Sequence, residues 1–264
     1  MIKSILRKVY HLIFPPKVKP KKPGVTYPFV YTHNDLPFYD DHSIKFNIHN
    51  AVENYRLALF GDEKDFAVEL VSSLNEDDIL FDIGSSVGLI SILSAKKLKK
   101  GNVISFEPDP ENYKNLESNF SLNGLSNYKI AKIAVGNKKE KLKLYTAGSG
   151  SYSPSLKQIN TIENWIEVDV EPIDTYIVEQ NLPNPTVVKI DIEGAEMMAL
   201  QGMSQLLKSK NKPRLIYLEV HPDFLEAFNT SSQQIFDFIS EHGYKIAKQT
   251  QRDNQILCNL IPNE

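Results

Sequence analysis

Cysteine is nearly absent from this chain: Cys258 is the only one in 264 residues. A lone thiol excludes an intrachain disulfide and a cysteine-built zinc site, and it suits a reducing cytoplasm. Cys258 falls in the apolar stretch 256–261 and is expected to be a buried strand residue. Long hydrophobic runs are missing too, since no segment reaches the roughly 20 apolar residues that a bilayer crossing takes. Acids are missing from the first 22 residues, which carry seven lysines and arginines. The remainder holds 23 basic against 33 acidic residues, so the net charge of −3 conceals an acidic body. That body excludes nucleic acid as the main partner, because phosphate binding requires a basic surface.

The ends of the chain read differently from its middle. Ile2, Ile5, Leu6, Val9, Leu12 and Ile13 recur at helical spacing among basic residues, up to Pro15-Pro16. Residues 1–14 thus predict a basic amphipathic helix that docks on an anionic membrane surface or a partner protein. Charges within the apolar run, and no small-residue cleavage site after it, argue against a secretory signal. The expected location is the cytoplasm, with peripheral contact at the inner membrane surface. Pro15 to Gly24 is a Pro/Lys linker, so residues 1–24 form one segment. Residues 25–62, aromatic and irregular, are expected to cap a main domain at 63–264.

In that domain apolar runs alternate with helical patterns. A helix is expected over 63–74, then strand 79–84, helix 88–98, strand 102–107, helix 110–123 and strand 128–134. After a polar excursion come a strand near 166–170, a short helix near 173–180, strand 186–192, helix 195–207, strand 214–221, helix 231–242 and strands 244–249 and 256–262. Runs such as Thr186 to Ile190 and Leu215 to Leu218 suit a parallel sheet covered on both faces. Thr250 to Gln255 leaves no room for a crossover helix, so the last strand must return antiparallel. The fold class is therefore α/β, Rossmann-like: a seven-stranded, mostly parallel sheet with a C-terminal antiparallel strand and helices on both faces.

Three strand tips carry the chemistry. The first reads Asp82-Ile83-Gly84-Ser85-Ser86-Val87-Gly88, and the next strand ends in Glu107-Pro108. A dinucleotide fingerprint would be G-x-G-x-x-G, whose middle glycine admits a pyrophosphate; here Ser86 holds that place and no third glycine follows. A P-loop lysine is also lacking. S-adenosylmethionine has no phosphate to cradle but carries an ammonium, which suits Asp82, and two ribose hydroxyls, which suit Glu107. Cofactor contacts are accordingly expected at Asp82, Gly84, Ser85, Ser86, Gly88, Glu107, Pro108, Ala134 and Asp191. The second tip, Asp191-Ile192-Glu193-Gly194-Ala195-Glu196, borders the same crevice. Its oxygens would alternatively suit magnesium, but no metal ligand is assigned. The third tip brings His221, the usual proton acceptor near neutral pH.

Together these segments resemble the FkbM-type family of S-adenosylmethionine-dependent methyltransferases, over about residues 60–262. The carriers are Asp82 to Gly88, Phe106-Glu107-Pro108, Lys189 to Glu196 and Glu219-x-His221-Pro222. The Asp-x-Glu-Gly-x-Glu segment separates this family from generic class I methyltransferases. The resemblance implies O-methylation of a hydroxyl on a sugar, glycan or polyketide. One departure stands out: the first turn is Gly-Ser-Ser-Val-Gly where the family commonly has Gly-Ala-Asn-x-Gly, which removes an amide contact. His221 or Asp191 is the expected general base, with Glu193 orienting substrate or base, and the acceptor is expected to be a small molecule or glycan. Two other classes remain open on sequence: a nicotinamide-dependent oxidoreductase, and a catalytically silent S-adenosylmethionine-binding domain in a membrane-associated assembly.

Overall fold

A computed structural model of the chain describes residues 26–34, 36, 43–60, 63–151, 153–159 and 162–263. The expected helix and linker at 1–24 lie outside the described residues. No helix among those described is long and apolar enough to cross a membrane.

The first long apolar run, Ile79–Ile83 (β3), is buried from Leu80 onward although it contains Asp82. Asn102–Phe106 (β4), Val187–Ile190 (β9) and Leu215–Val220 (β10) are likewise buried on both faces. Strands of that kind need a helical layer on each side. They pair in parallel, together with Tyr128–Ala131 (β5), in one seven-stranded sheet. Its order is β11-β12-β10-β9-β3-β4-β5, where β11 is Tyr244–Arg252 and β12 is Gln255–Pro262. As expected for the last strand, β12 runs antiparallel to both neighbours.

Two cores flank the sheet. On one face Phe81, Ile83 and Phe106 pack against Leu200, Met203, Ile235 and Ile239. On the other, Leu80 and Val103 meet Leu70, Ile92, Leu116 and Phe120. Each fully buried side chain of this size contributes about 1.5–3 kcal/mol. The cap is more regular than its composition implies. Phe29–His33 (β1) and Ile44–Ile48 (β2) pair antiparallel, followed by one helical turn, Ala51–Glu53 (α1). Ile44, Phe46 and Ile48 are wholly buried in the second core, so the cap completes it.

The remaining helices in chain order are α2 (Lys64–Ser73), α3 (Leu89–Lys97), α4 (Pro110–Leu122), α5 (Ile173–Glu179), α6 (Glu196–Gln201), α7 (Ser204–Lys208), α8 (Pro222–Leu225) and α9 (Ser232–Glu241). Two expectations need correction. The strand near 166–170 exists as Trp165–Glu171 (β8) but lies outside the main sheet. It joins Ala134–Val135 (β6) and Glu140–Tyr145 (β7) in a second sheet of order β6-β8-β7. Its alternating burial marks a strand with one solvated face, unlike β9. The supposed polar excursion thus contains β7, antiparallel to β8. The single helix expected at 195–207 is broken into α6 and α7. A Cβ on Gly202 would stand 1.9 Å from the Gly136 carbonyl oxygen, so the glycine lets two backbones touch at the break.

The β11–β12 register pairs Arg252 with Gln255, leaving Asp253-Asn254 as a two-residue turn. Since β12 aligns Ile256 with Val220 of β10, this turn sits at the carboxyl ends of the parallel strands.

Candidate active site

A cavity of about 450 Å³ opens at those carboxyl ends, within the range of small-molecule sites. Its floor is the turn after β3. Gly84 has φ +80, and a Cβ there would lie 2.0 Å from the Asp191 carbonyl oxygen. Glycine therefore lets the tips of β3 and β9 close on each other. Ser86 and Glu193 both hold left-handed φ, +50 and +51. Such strain costs on the order of 1–3 kcal/mol per residue and concentrates at functional sites.

Glu107 lines the far end of the cavity. Its Oε2 accepts the Ser86 N–H at 2.8 Å and its Oε1 accepts the Asp109 N–H at 2.9 Å. Asn112 also bonds this carboxylate, and of its roughly four lone-pair sites one remains for a further donor. Burial pushes this carboxyl up to about 7, against the backbone bonds that favour its charge. Asp109 in turn caps α4 and accepts the Thr146 hydroxyl, tying the loop after β7 to the same corner. Phe106, Ile133, Ala134 and Leu144 supply an apolar wall, and Pro108, Ser85 and Gly88 also line the space.

Asp82 is fully buried and engaged within the protein. Its Oδ2 accepts the Ser91 hydroxyl at 2.5 Å and its Oδ1 faces Lys189 Nζ at 3.2 Å. Asp82 therefore braces the turn. Lys189 donates to the Gly84 carbonyl at 2.8 Å and stands 3.5 Å from Asp191. Burial opposes its charge, but Asp82 and Asp191 outweigh that and raise its pKa.

The other end of the cavity is acidic. Asp191, Glu193, Glu219 and Glu63 line it, with Arg252 and Arg56 beside them. Arg252 donates to Glu219 at 2.7 Å, and Arg56 to the Ser86 hydroxyl at 2.9 Å. Burial, with Asp191 adding to it, raises Glu63 to about 7, Arg252 opposing. Glu193 is raised by burial and the Asp191 charge, with His221 opposing, and its Oε2 has no hydrogen bond. Asp191 is held below the usual range because Lys189 and His221 overcome its burial.

His221 lies behind this wall instead of in it. Its side chain is 3 % exposed, and Nδ1 is bonded to Glu196 Oε1 at 2.7 Å. Nε2 stands 3.4 Å from Glu193 Oε2, 3.4 Å from Glu219 Oε1 and 3.7 Å from Asp191 Oδ1. Burial disfavours the imidazolium, but Glu193, Glu196 and Glu219 hold its pKa well above the ordinary value. Its Nε2 faces these carboxylates and not the cavity, so His221 is not placed to take a proton from an acceptor there.

All nine residues expected to touch the cofactor therefore line one cavity, and so does Glu193; His221 does not. Sequence reasoning missed Lys189, Glu63, Arg56, Arg252 and the place of Glu219. A lysine inside the apolar run of β9 was a usable signal, because a buried ammonium needs partners. The arginines had none, because only the cap and the hairpin turn bring them here.

The residues fit S-adenosylmethionine: Glu107 offers a carboxylate acceptor for a ribose hydroxyl, the wall beside it is apolar, and no phosphate cradle is built among the described residues. A sheet with this strand order, a phosphate-free turn after its first strand and an acid at its second tip defines an S-adenosylmethionine-dependent class I methyltransferase. The methyltransferase FkbM domain model matches residues 82–246, and the chain belongs to that family.

Among curated relatives, hexuronic acid methyltransferase AglP of Haloferax volcanii is 26 % identical over 185 residues, covering 68 % of this chain and 71 % of that protein. Methyltransferase 1 of Beauveria bassiana is 23 % identical over 152 residues, covering 50 % of this chain and 61 % of the relative. Uncharacterized protein MJ1452 of Methanocaldococcus jannaschii is 28 % identical over 173 residues, covering 62 % and 60 %. The chain thus spans less than two thirds of the latter two. Among solved structures, precorrin-6y C5,15-methyltransferase from Geobacter metallireducens aligns with a TM-score of 0.48 at 14 % identity, over 76 % of this chain and 89 % of that one.

Proposed function

We propose that the protein transfers a methyl group from S-adenosylmethionine to a hydroxyl of a sugar, glycan or related natural product. The observation that carries this is one cavity with two unlike ends. Glu107 and an apolar wall occupy one end; Glu193, among acids and arginines, occupies the other. The relative named for a hexuronic acid supports a sugar acceptor.

The cofactor supplies an electrophilic methyl group. Glu107 holds the ribose, the turn from Gly84 to Gly88 borders the cofactor, and the acidic end receives the acceptor. An alcohol needs its proton removed as it attacks, and Glu193 is the base of choice. Its pKa is raised to about 7, close to neutral pH, and its side chain lines the cavity. General-base help of this kind is worth roughly 10²–10⁴-fold. Asp191, fixed by Lys189, orients the hydroxyl, and His221 positions Asp191 and Glu193 from behind. The proton passes from the acceptor oxygen to the Glu193 carboxylate. In the same proposal, residues 1–14 dock the enzyme on an anionic membrane surface; co-sedimentation with anionic vesicles tests that part.

Isothermal titration with S-adenosylmethionine should show one site, weakened strongly by Glu107→Ala. Radiolabelled cofactor with a panel of free and lipid-linked sugars and uronic acids should then give a sugar methyl ether. Glu193→Gln should slow that transfer by about 10²–10⁴-fold at unchanged cofactor affinity. Binding without transfer to any hydroxyl would move the protein to the silent class, and full activity of Glu193→Gln would remove the base assignment.

A further inference from the structure

We infer that Asp191, Glu219 and His221 form a binding site for a divalent first-row transition cation. One ligand atom from each lies within 4.8 Å of the other two. His221 Nε2 is 3.4 Å from Glu219 Oε1 and 3.7 Å from Asp191 Oδ1. Atoms each about 2.1 Å from a shared ion stand at such separations.

Three further features separate this group from an ordinary acidic cluster. First, Nε2 is buried and makes no hydrogen bond, although it faces three carboxylates; Glu193 Oε2 opposite it is also unbonded. Second, the other ring nitrogen is already fixed. Nδ1–H donates to Glu196 Oε1, which also accepts the Gly194 N–H at 2.9 Å. A carboxylate on one imidazole nitrogen sets the tautomer whose free nitrogen binds a metal, the usual outer-shell arrangement of ligating histidines. Third, the charge is in deficit. With a neutral imidazole, the four carboxylates around His221 have Lys189, Arg252 and Arg56 as counter-charges, and Lys189 and Arg252 are shared with Asp82 and Glu63. The group is left net negative, which a bound cation would offset.

One imidazole among carboxylates suits manganese, iron or zinc better than calcium. Asp191 and Glu219 line the cavity while His221 lies behind them, so the ion's open positions would face the cavity. An acceptor hydroxyl entering there would meet a Lewis acid, which lowers the pKa of a bound oxygen; this last role rests on the methyl-transfer proposal, whereas the site itself does not.

The test is a manganese titration of the full chain, followed by loss of the free-ion paramagnetic resonance signal and by calorimetry. One ion per chain is expected. Asp191→Asn should weaken binding beyond about 100-fold, and Glu196→Gln, which touches only the outer shell, by about 10–100-fold. Glu76→Gln, on a remote surface pair with Lys100, should leave it unchanged. His221→Gln should abolish binding, and thermal melts report whether each variant is folded. Should His221→Gln fail to fold, the Asp191 and Glu196 variants decide. Absence of stoichiometric binding to folded wild type at millimolar manganese would overturn the site, as would binding that survives both of those variants. Neither outcome touches cofactor binding or methyl transfer, which are measured separately.

Discussion

Lys189 holds a full charge inside the sheet, between Asp82 and Asp191, with the Gly84 carbonyl as its hydrogen-bond acceptor. Removing one partner of a buried ion group leaves the others uncompensated, at about 3–5 kcal/mol. Lys189→Met should therefore destabilise by about that much in urea unfolding, and adding Asp82→Asn should recover part of the loss. A double variant no more stable than the single one would show that Lys189 matters through packing alone. Gly84 is the second sensitive position. Alanine there meets both a left-handed φ and the Asp191 carbonyl, so Gly84→Ala should cost about 2–4 kcal/mol. A thermal melt superimposable on wild type would refute this.

Between elements, single amides do the joining. Asn119 on α4 is wholly buried, accepts the Asn47 N–H of β2 at 2.8 Å and donates to the Val87 carbonyl at 2.9 Å. One side chain thus ties the cap, a helix and the cofactor turn together. Asn119→Ala leaves a buried donor and acceptor unpaired and should destabilise by about 2–4 kcal/mol, since each orphaned group costs roughly 1–3. It should also weaken S-adenosylmethionine binding, because the turn loses its anchor; calorimetry with unchanged affinity would separate the cap from the site. The hairpin turn plays a similar part, since its Arg252 meets Glu219 only because β12 runs back along β10.

Across the molecule, the cavity gathers carboxyls that titrate late. Glu63, Glu107 and Glu193 are each raised to about 7 from an ordinary value of 4.5. Below pH 4.5 these groups are protonated folded or unfolded and contribute no pH dependence. Between there and about 7 the folded state keeps protons that the unfolded state releases, so stability falls as pH rises. For Glu107 alone the loss is on the order of 3 kcal/mol once pH passes 7. His221 does not reverse the trend: its folded pKa is raised, so its contribution is complete below the ordinary 6.5 and declines as pH climbs from there. Asp191, held low, adds stability that vanishes only toward strong acid. The ligand-free protein should therefore melt at a lower temperature at pH 8 than at pH 6. A flat or rising profile would mean that these carboxyls are already ionised at pH 6.

Strand and helix periods alone place almost every element of the domain within a few residues, because burial on two faces, on one face or along a stripe leaves a different pattern in the chain. Asp82, Gly84, Glu107, Asp191 and Glu193 were legible for a related reason: an acid or glycine ending an apolar run can only lie at a strand tip. The sequence likewise determined the antiparallel return of β12, since six residues cannot cross a sheet. Tertiary structure alone decided that β8 leaves the main sheet, that Arg252 and Glu63 face Asp191, and that His221 stands behind the cavity with its Nδ1 on Glu196. Periodicity records which way a side chain faces its own sheet. It does not record which distant charge waits there, and at this site those charges, together with burial, set the protonation of Asp191, Glu193 and His221.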